Sequence, residues 1–196
     1  MGKFWAPLSS LLFNDDSDLD IEVRPLVTKK FGIPIYSGSV SNPQILNLVL
    51  RAKEDNDLLA RRFLAKLICA GIDLIKEEEI VIFPIPSRRK ANQVRGINHM
   101  ELLVREVSRL RKVKPKFLLL HAKAISDQSP LSAQERIENM SGAFKVKRDG
   151  SSMSGYIFDD LVTTGSTIWA AKEALKVRNI QVLGAISACA SARFSE

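Results

Sequence analysis

Cysteine is scarce in this sequence, and its scarcity excludes some classes of protein at once. Cys69 and Cys189 are the only two, and each stands in apolar sequence. Two isolated cysteines do not form the disulfide framework on which small secreted domains depend. They favour a reducing, cytoplasmic location in which each is a small buried side chain.

Long hydrophobic runs are also missing. The most apolar N-terminal stretch, residues 4–13, contains Pro7 and two serines and is followed by an acidic turn. A membrane span needs about 20 apolar residues and a signal peptide ends in a small-residue cleavage site, so neither is expected here. The large apolar residues of this stretch recur at helical spacing, which predicts a short amphipathic helix lying on the domain.

The glycine patterns of two common nucleotide-binding motifs are absent. The sequence contains neither the Gly-x-x-x-x-Gly-Lys-Ser/Thr of P-loop proteins nor the Gly-x-Gly-x-x-Gly of dinucleotide-binding folds. Acidic residues are outnumbered, because 29 lysines and arginines face 22 aspartates and glutamates and give a net charge of +7. A basic surface favours anionic partners such as polyphosphates, nucleic acids or acidic lipids.

Helical and strand-like patterns alternate along most of the chain. Its 196 residues, 45% of them hydrophobic, are enough for one sizeable core. The Asn42-Pro43 capping signal begins two helices or one broken helix. Further helices are predicted over residues 98–111, 132–139 and 167–178, and strands over residues 79–86, 117–120, 142–146 and 181–188. The alternation predicts an α/β domain with a mostly parallel sheet.

The N-terminal region follows a different pattern. Residues 21–36 hold β-forming residues that are interrupted by two prolines and Gly32, which predicts irregular structure with one or two short strands. We therefore divide the chain into an amphipathic helix and irregular cap over residues 1–42 and an α/β domain over residues 43–196.

Residues 155–167 carry the clearest chemistry. An apolar run precedes two adjacent carboxylates, the acid pair Asp159 and Asp160, and helical spacing resumes after residue 167. The stretch therefore predicts a strand, a loop and a helix. Between the acids and the helix lies what we call the hydroxyl loop, which consists of Thr163, Thr164, Gly165, Ser166 and Thr167.

A loop that ends at a helix N-terminus favours a phosphate. The unpaired backbone N–H groups and the positive end of the helix dipole attract an anion, the hydroxyls add donors, and Gly165 lets the backbone approach closely. The acid pair would repel a phosphate that touched it, so we expect it to accept hydrogen bonds from sugar hydroxyls or to hold hydrated Mg²⁺. These features predict a phosphorylated sugar as ligand. The alternative is a solvated acidic turn before a capped helix.

A basic loop follows the predicted strand over residues 79–86. It begins with Ser87, Arg88 and Arg89. At the carboxyl end of a parallel strand this loop would lie where open α/β sheets bind ligands, and arginine would offer forked donors to a pyrophosphate. A solvated basic surface is the alternative.

The two histidines are candidates for a general base. They are His99 and His121. Because nothing in the sequence gives either one a carboxylate partner, we expect a surface or capping role for both.

Residues 155–167 resemble the phosphoribosyl pyrophosphate (PRPP) motif of the type I phosphoribosyltransferases. Three more stretches resemble one branch of that group, the ComF-like family associated with competence for DNA uptake. They are Tyr36-Ser-Gly38 through Leu50-Arg-Ala-Lys53, then Pro84-Ile-Pro86 through Arg95-Gly96-Ile97-Asn98, and a pattern from Gln128 to Phe144. Together they cover about residues 36–190 in the family's order.

The resemblance implies a type I phosphoribosyltransferase-like α/β fold, with a mostly parallel open sheet flanked by helices and a small N-terminal cap. It implies a PRPP-binding glycosyltransferase that displaces pyrophosphate with a nitrogenous base and uses Mg²⁺. Asp159 and Asp160 would hold the ribose hydroxyls and Mg²⁺, directly or through water. The hydroxyl loop would hold the 5-phosphate of PRPP.

The resemblance assigns the rest of the site to two loops. Ser87, Arg88 and Arg89 would hold the pyrophosphate. The loop from Lys123 to residue 131 corresponds to the family's mobile lid. In that region Lys123 would be a catalytic cation, and Gln128 and Arg136 would be further lid residues.

One module of the ComF-like family has no counterpart in this sequence. Its usual N-terminal zinc module is built on cysteine pairs, and no cysteine precedes Cys69. A separate alternative is a non-catalytic member of the family, either a PRPP sensor or a component of the competence machinery that binds single-stranded DNA on its positive face. The acceptor base and the oligomeric state, a homodimer included, stay open.

Overall fold

A computed structural model describes residues 21, 23–87, 98–122, 140–147 and 153–191. The N-terminal helix predicted over residues 4–13 and the helix predicted over residues 132–139 lie outside these residues. Both stay predictions.

The described elements follow one another along the chain with strands and helices interleaved. The strands are β1 (Leu26–Lys30), β2 (Ile33–Val40), β3 (Ile80–Pro84), β4 (Val113–Pro115), β5 (Leu119–His121), β6 (Phe144–Val146), β7 (Ser154–Phe158), β8 (Leu161–Val162) and β9 (Gln181–Ala190). The helices are α1 (Pro43–Glu54), α2 (Leu58–Ile72), α3 (His99–Leu110) and α4 (Ser166–Lys176).

Capping residues divide the first helical region into two. The side chain of Asn42 accepts a hydrogen bond from the backbone N–H of Ile45 at 2.8 Å, directly before Pro43. The carboxylate of Asp57 accepts two such bonds, from Leu59 at 2.8 Å and Ala60 at 3.1 Å. Since each helix has its own N-cap, the region forms two helices, which was one of the two predicted arrangements.

The main sheet is mostly parallel, as predicted. In the described part of the chain it has seven strands in the order β1-β2-β9-β7-β3-β4, with β8 also paired to β9. Every pairing is parallel except that of β1 with β2. β5 and β6 form a separate antiparallel pair. The predicted division at residue 42 stays a prediction, and β2, which precedes it, pairs with β9 in this sheet.

Two hydrophobic layers cover the sheet, one on each face. Ile82, Phe158 and Ile186 pack with α1, α2 and α3 in one layer. Their strand neighbours Phe83 and Ile157 pack with α4, β5 and β6 in the other. This alternation follows from the two-residue period of a strand and confirms a sheet flanked by helices.

One helix lies unusually close to the sheet. A Cβ atom added to Gly38 of β2 would lie 1.9 Å from the carbonyl oxygen of Leu67 in α2. A Cβ on Gly71 would lie 3.2 Å from the backbone of Ser37. A side chain at position 38 would therefore prevent this contact, and one at position 71 would require a small shift of its neighbour.

Both cysteines are buried and free. Burial raises the pKa of Cys69 to about 11 and that of Cys189 to about 12, so both remain thiols near neutral pH. This agrees with the small buried side chains that were expected. None of the helices within the described ranges is long and apolar enough to cross a membrane.

Candidate functional site

The acid pair lies where a strand is interrupted. β7 ends at Phe158 and β8 begins at Leu161, and both pair with β9. The backbone of the acids also contacts β9, because the N–H of Asp159 donates to the oxygen of Ile186 at 3.0 Å and the oxygen of Asp160 accepts from the N–H of Ala188 at 3.2 Å. The sheet therefore fixes the backbone of both acids at the edge where its parallel strands end.

Both carboxyl groups are buried. Asp159 is 8% exposed and Asp160 is 5% exposed. The Oδ1 atom of Asp159 accepts a hydrogen bond of 2.9 Å from the backbone N–H of Asp160. A buried carboxylate needs partners, and Asp160 finds them on two helices that are distant in sequence.

Lys53 and His99 are the partners of Asp160. The Nζ of Lys53, in the last turn of α1, lies 3.7 Å from Oδ2 of Asp160. The Nε2 of His99, the first residue of α3, lies 3.3 Å from the same oxygen. The geometry of this second contact falls short of a hydrogen bond, and within the described residues Nε2 has no hydrogen-bond partner.

The surface or capping role expected for His99 is wrong. The side chain is 6% exposed, and its Nδ1 lies 3.1 Å from the carbonyl oxygen of Ala52. The capping role belongs to its neighbour Asn98, whose side-chain oxygen accepts from the N–H of Glu101 at 3.4 Å. The first residue of α3 can therefore turn its ring inward, beneath the end of α1.

The two acids have opposite pKa shifts. Burial, and then the adjacent charge of Asp160, raise the pKa of Asp159 well above its usual range. Burial alone would raise the pKa of Asp160 as well, but the His99 ring and the Lys53 charge outweigh it and lower that pKa to about 2. Asp160 is therefore the ionised acceptor, while Asp159 retains a proton more readily and can donate.

The hydroxyl loop leads directly into α4, which begins at Ser166, one residue before the predicted start. Gly165 precedes the helix with φ of 76°, a left-handed conformation that favours glycine. It has no side chain to cap the helix, and although the N–H of Ser166 donates to the hydroxyl oxygen of Thr164 at 3.4 Å, the helix N-terminus still favours an anion.

The loop is held mainly by its own atoms. The hydroxyl oxygens of Thr164 and Ser166 are 3.0 Å apart. One longer-range contact comes from Ser191 after β9, whose hydroxyl donates to the carbonyl oxygen of Thr163 at 2.9 Å. The side chain of Thr163 itself is exposed at this edge.

Ser87 lies at the same end of the sheet, after β3. Its hydroxyl donates to the side-chain oxygen of Asn98 at 3.1 Å and accepts from the N–H of Met100 at 3.4 Å. It thus joins the end of β3 to the start of α3. The other predicted residues of the basic loop and the lid lie outside the described residues: Arg88, Arg89, Lys123, Gln128 and Arg136.

His121 has a different setting from His99. Its Nε2 lies 2.9 Å from the carbonyl oxygen of Pro86, and its ring lies 5.3 Å from that of Phe144. It therefore fastens the small β5-β6 sheet to the residue before Ser87.

The candidate residues that the sequence did not identify are Lys53 and Ser191, and the contact of His99 with Asp160 was not predicted either. Their contacts join segments far apart in the chain, and no local pattern indicates which helix end faces which strand. Lys53 lies in a stretch that carries the family resemblance, which is the one signal that pointed toward it.

The acid pair suits a hydrated Mg²⁺ that shares its coordination with a substrate. Mg²⁺ is commonly held by one or two carboxylates together with substrate phosphates and water. No group of three or more metal-ligating side chains occurs among the residues that the structure describes. If the acid pair held Mg²⁺, the remaining oxygens would have to come from water or from a ligand.

Comparison with solved structures finds a likeness to a phosphoribosyltransferase. A crystal structure of a hypoxanthine phosphoribosyltransferase from Staphylococcus aureus matches 76% of this chain at 14% sequence identity, with a TM-score of 0.34. The match covers 65% of that protein's length, slightly less than two thirds. No protein-family model matches the chain. No curated protein matches it either.

Proposed function

We propose that this chain is a PRPP-binding phosphoribosyltransferase of the ComF-like type. The observation that carries the proposal is the sequence of groups at one edge of the sheet. A buried acid pair is followed by a hydroxyl loop that begins at Thr163, and this loop leads into the helix that begins at Ser166. Acceptors for sugar hydroxyls thus stand beside donors for a phosphate, where open α/β sheets bind ligands.

The acid pair would recognise the ribose. Asp160, whose pKa is lowered, accepts hydrogen bonds from a hydroxyl, while Asp159, whose pKa is raised, binds a proton more readily and can then donate one. Vicinal hydroxyls both donate and accept, so an asymmetric pair suits them better than two identical carboxylates. The opposite pKa shifts of the two acids support this division.

The loops would hold the two phosphate groups. The 5-phosphate fits against the hydroxyl loop and the first turn of α4, where N–H groups and the helix dipole favour an anion. The pyrophosphate is assigned to Ser87, Arg88 and Arg89. Lys123, Gln128 and Arg136 are assigned to a lid over the substrate.

The reaction is a displacement at the anomeric carbon of ribose. An acceptor nitrogen forms a bond to this carbon as the bond to the pyrophosphate oxygen breaks, and pyrophosphate leaves with the bonding electrons. Bound Mg²⁺ supplies charge neutralisation on the pyrophosphate. The chain's own residues contribute position and electrostatics, because they hold the ribose and the 5-phosphate while the leaving group departs. Two free, buried cysteines agree with a cytoplasmic enzyme.

The first test is ligand-induced stabilisation. Magnesium with PRPP is expected to raise the melting temperature of the wild type, and the double change Asp159→Asn/Asp160→Asn is expected to abolish the shift. The matched control is Asp73→Asn/Glu79→Gln, which removes two exposed charges from surface ion pairs with Arg111 and Lys114. No shift with the wild type at millimolar ligand would refute PRPP binding.

The second test identifies the acceptor. A panel of nitrogenous bases is screened for release of pyrophosphate from PRPP, and release with one base establishes the transferase. PRPP binding without release under any base would instead identify a sensor. Binding of single-stranded DNA that weakens steeply with salt, with no affinity for PRPP, would favour the competence-linked role.

A further inference from the structure

Each nitrogen of the His99 ring faces an oxygen atom. A carbonyl oxygen only accepts hydrogen bonds, so Nδ1 donates to the oxygen of Ala52 at 3.1 Å. This contact turns Nε2 toward Oδ2 of Asp160 at 3.3 Å. With 6% exposure the ring has little room to rotate, and its direction is therefore set by α1.

The end of α1 approaches Asp160 through two consecutive residues. Ala52 supplies the carbonyl that orients His99, and Lys53 places its Nζ 3.7 Å from Asp160 Oδ2. Both side chains approach the same oxygen of the carboxylate. The orientation of Asp160 thus depends on α1, directly through Lys53 and indirectly through the His99 ring.

We propose that His99 is a positioning residue that fixes the carboxylate of Asp160 for recognition of the ribose hydroxyls. The inference rests on the proposed function. Asp160 belongs to a two-residue interruption between β7 and β8, where the side chain needs support beyond its own strand. A carboxylate that is already oriented loses less conformational freedom when the sugar binds, so affinity rises without a new contact to the ligand.

If His99 had only a structural role, just one of its two ring nitrogens would matter. If His99 only joined α1 to α3, the Nδ1 contact with Ala52 would be sufficient and Nε2 would be irrelevant to the ligand. Substitutions can test the roles of the two nitrogens one at a time. The amide nitrogen of asparagine approximates Nδ1, and that of glutamine approximates Nε2.

The experiment compares His99→Asn with His99→Gln by calorimetric titration of magnesium-PRPP. His99→Asn keeps the contact with Ala52 and is expected to weaken PRPP binding about tenfold, as loss of a partner behind a ligating carboxylate does. His99→Gln keeps a donor toward Asp160 and is expected to bind within about twofold of the wild type. Equal affinity of His99→Asn and the wild type would overturn the inference, and so would equal losses in both variants.

A double-mutant cycle tests the contact without the ligand. The unfolding free energies of the wild type, His99→Asn, Asp160→Asn and the double variant are compared in urea. Non-additive changes support the coupling of His99 to Asp160, and additive changes overturn it. If the wild type binds no PRPP, the proposed function fails by itself, and the cycle still decides whether His99 positions the acid.

Discussion

The acid pair and the hydroxyl loop are adjacent in the chain but are stabilised in different ways. Asp160 depends on Lys53 of α1 and His99 of α3. The hydroxyl loop depends on a contact between Thr164 and Ser166 and on the left-handed backbone of Gly165. The acids are therefore sensitive to the packing of α1 and α3, whereas the loop is largely determined by its own residues.

The largest expected effect is on the side of the acids. Asp160→Asn leaves Lys53 and His99 facing a neutral amide, and we expect the free energy of unfolding at pH 7 to fall by about 1–3 kcal/mol. Because its pKa is lowered to about 2 in the fold, Asp160 stabilises the wild type above the unfolded-state pKa of about 3.9, and this contribution is lost as the pH falls toward 2. Urea unfolding at several pH values measures the loss of stability in the variant and the pH dependence of the wild type. If Asp160→Asn were as stable as the wild type, the contacts of Asp160 with α1 and α3 would not stabilise the fold.

The loop has its own sensitive position in Gly165. Gly165→Ala places a Cβ on a residue with φ of 76°, at an expected cost of about 1–2 kcal/mol, and should also weaken binding of magnesium-PRPP. Gly32→Ala is the matched control, since Gly32 has φ of 75° in the turn between β1 and β2. It should show a similar loss of stability with unchanged affinity. Equal affinities of the two variants for magnesium-PRPP would show that the hydroxyl loop does not bind this ligand.

A smaller effect distinguishes the two acids from each other. Since the pKa of Asp159 is raised in the fold, the folded state binds the extra proton, and wild-type stability should decrease as pH rises from about 4 to that pKa. The slope for one proton is at most about 1.4 kcal/mol per pH unit. Asp159→Asn should lack this slope and become more stable than the wild type at high pH. Parallel pH profiles for the two proteins would show that Asp159 is not the protonated member.

The smallest expected effect concerns the hydroxyl contact. Thr164→Val keeps the shape of the side chain and removes its hydroxyl, so unfolding should cost about 0.5–1.5 kcal/mol less. In the double variant Thr164→Val/Asp160→Asn, the two changes in the free energy of unfolding should add, because the loop and the acids use separate contacts. Strong non-additivity in denaturant unfolding would show that the two regions are one network.

This difference also explains how much the sequence predicted. The apolar run before Asp159, the glycine before α4 and the cap at Asn42 are local features, and each indicated its element within a few residues. The alternation of elements likewise predicted the mostly parallel sheet. The position of His99 could not be predicted in this way, because it depends on which end of α1 lies over α3.

Two parts of the sheet were also not predictable from local sequence. β4 covers only Val113–Pro115 and has no apolar run, so its pairing with β3 was not predicted. The region over residues 21–36 was expected to be irregular with one or two short strands, and β1 and β2 form an antiparallel pair there. Their turn places Phe31 at φ of 52°, a conformation that is uncommon for an aromatic residue. In both cases pairing with a neighbour decided the structure.

The short outer strand β4 affects how molecules of this protein meet one another. Pro115 has no N–H to offer a strand from another molecule, and exposed Lys114, paired with Glu79 at 2.7 Å, places charge along the rim. A growing fibril needs a long row of unpaired backbone groups, which three residues ending in proline do not provide. At this side the sheet is therefore protected against aggregation by strand addition.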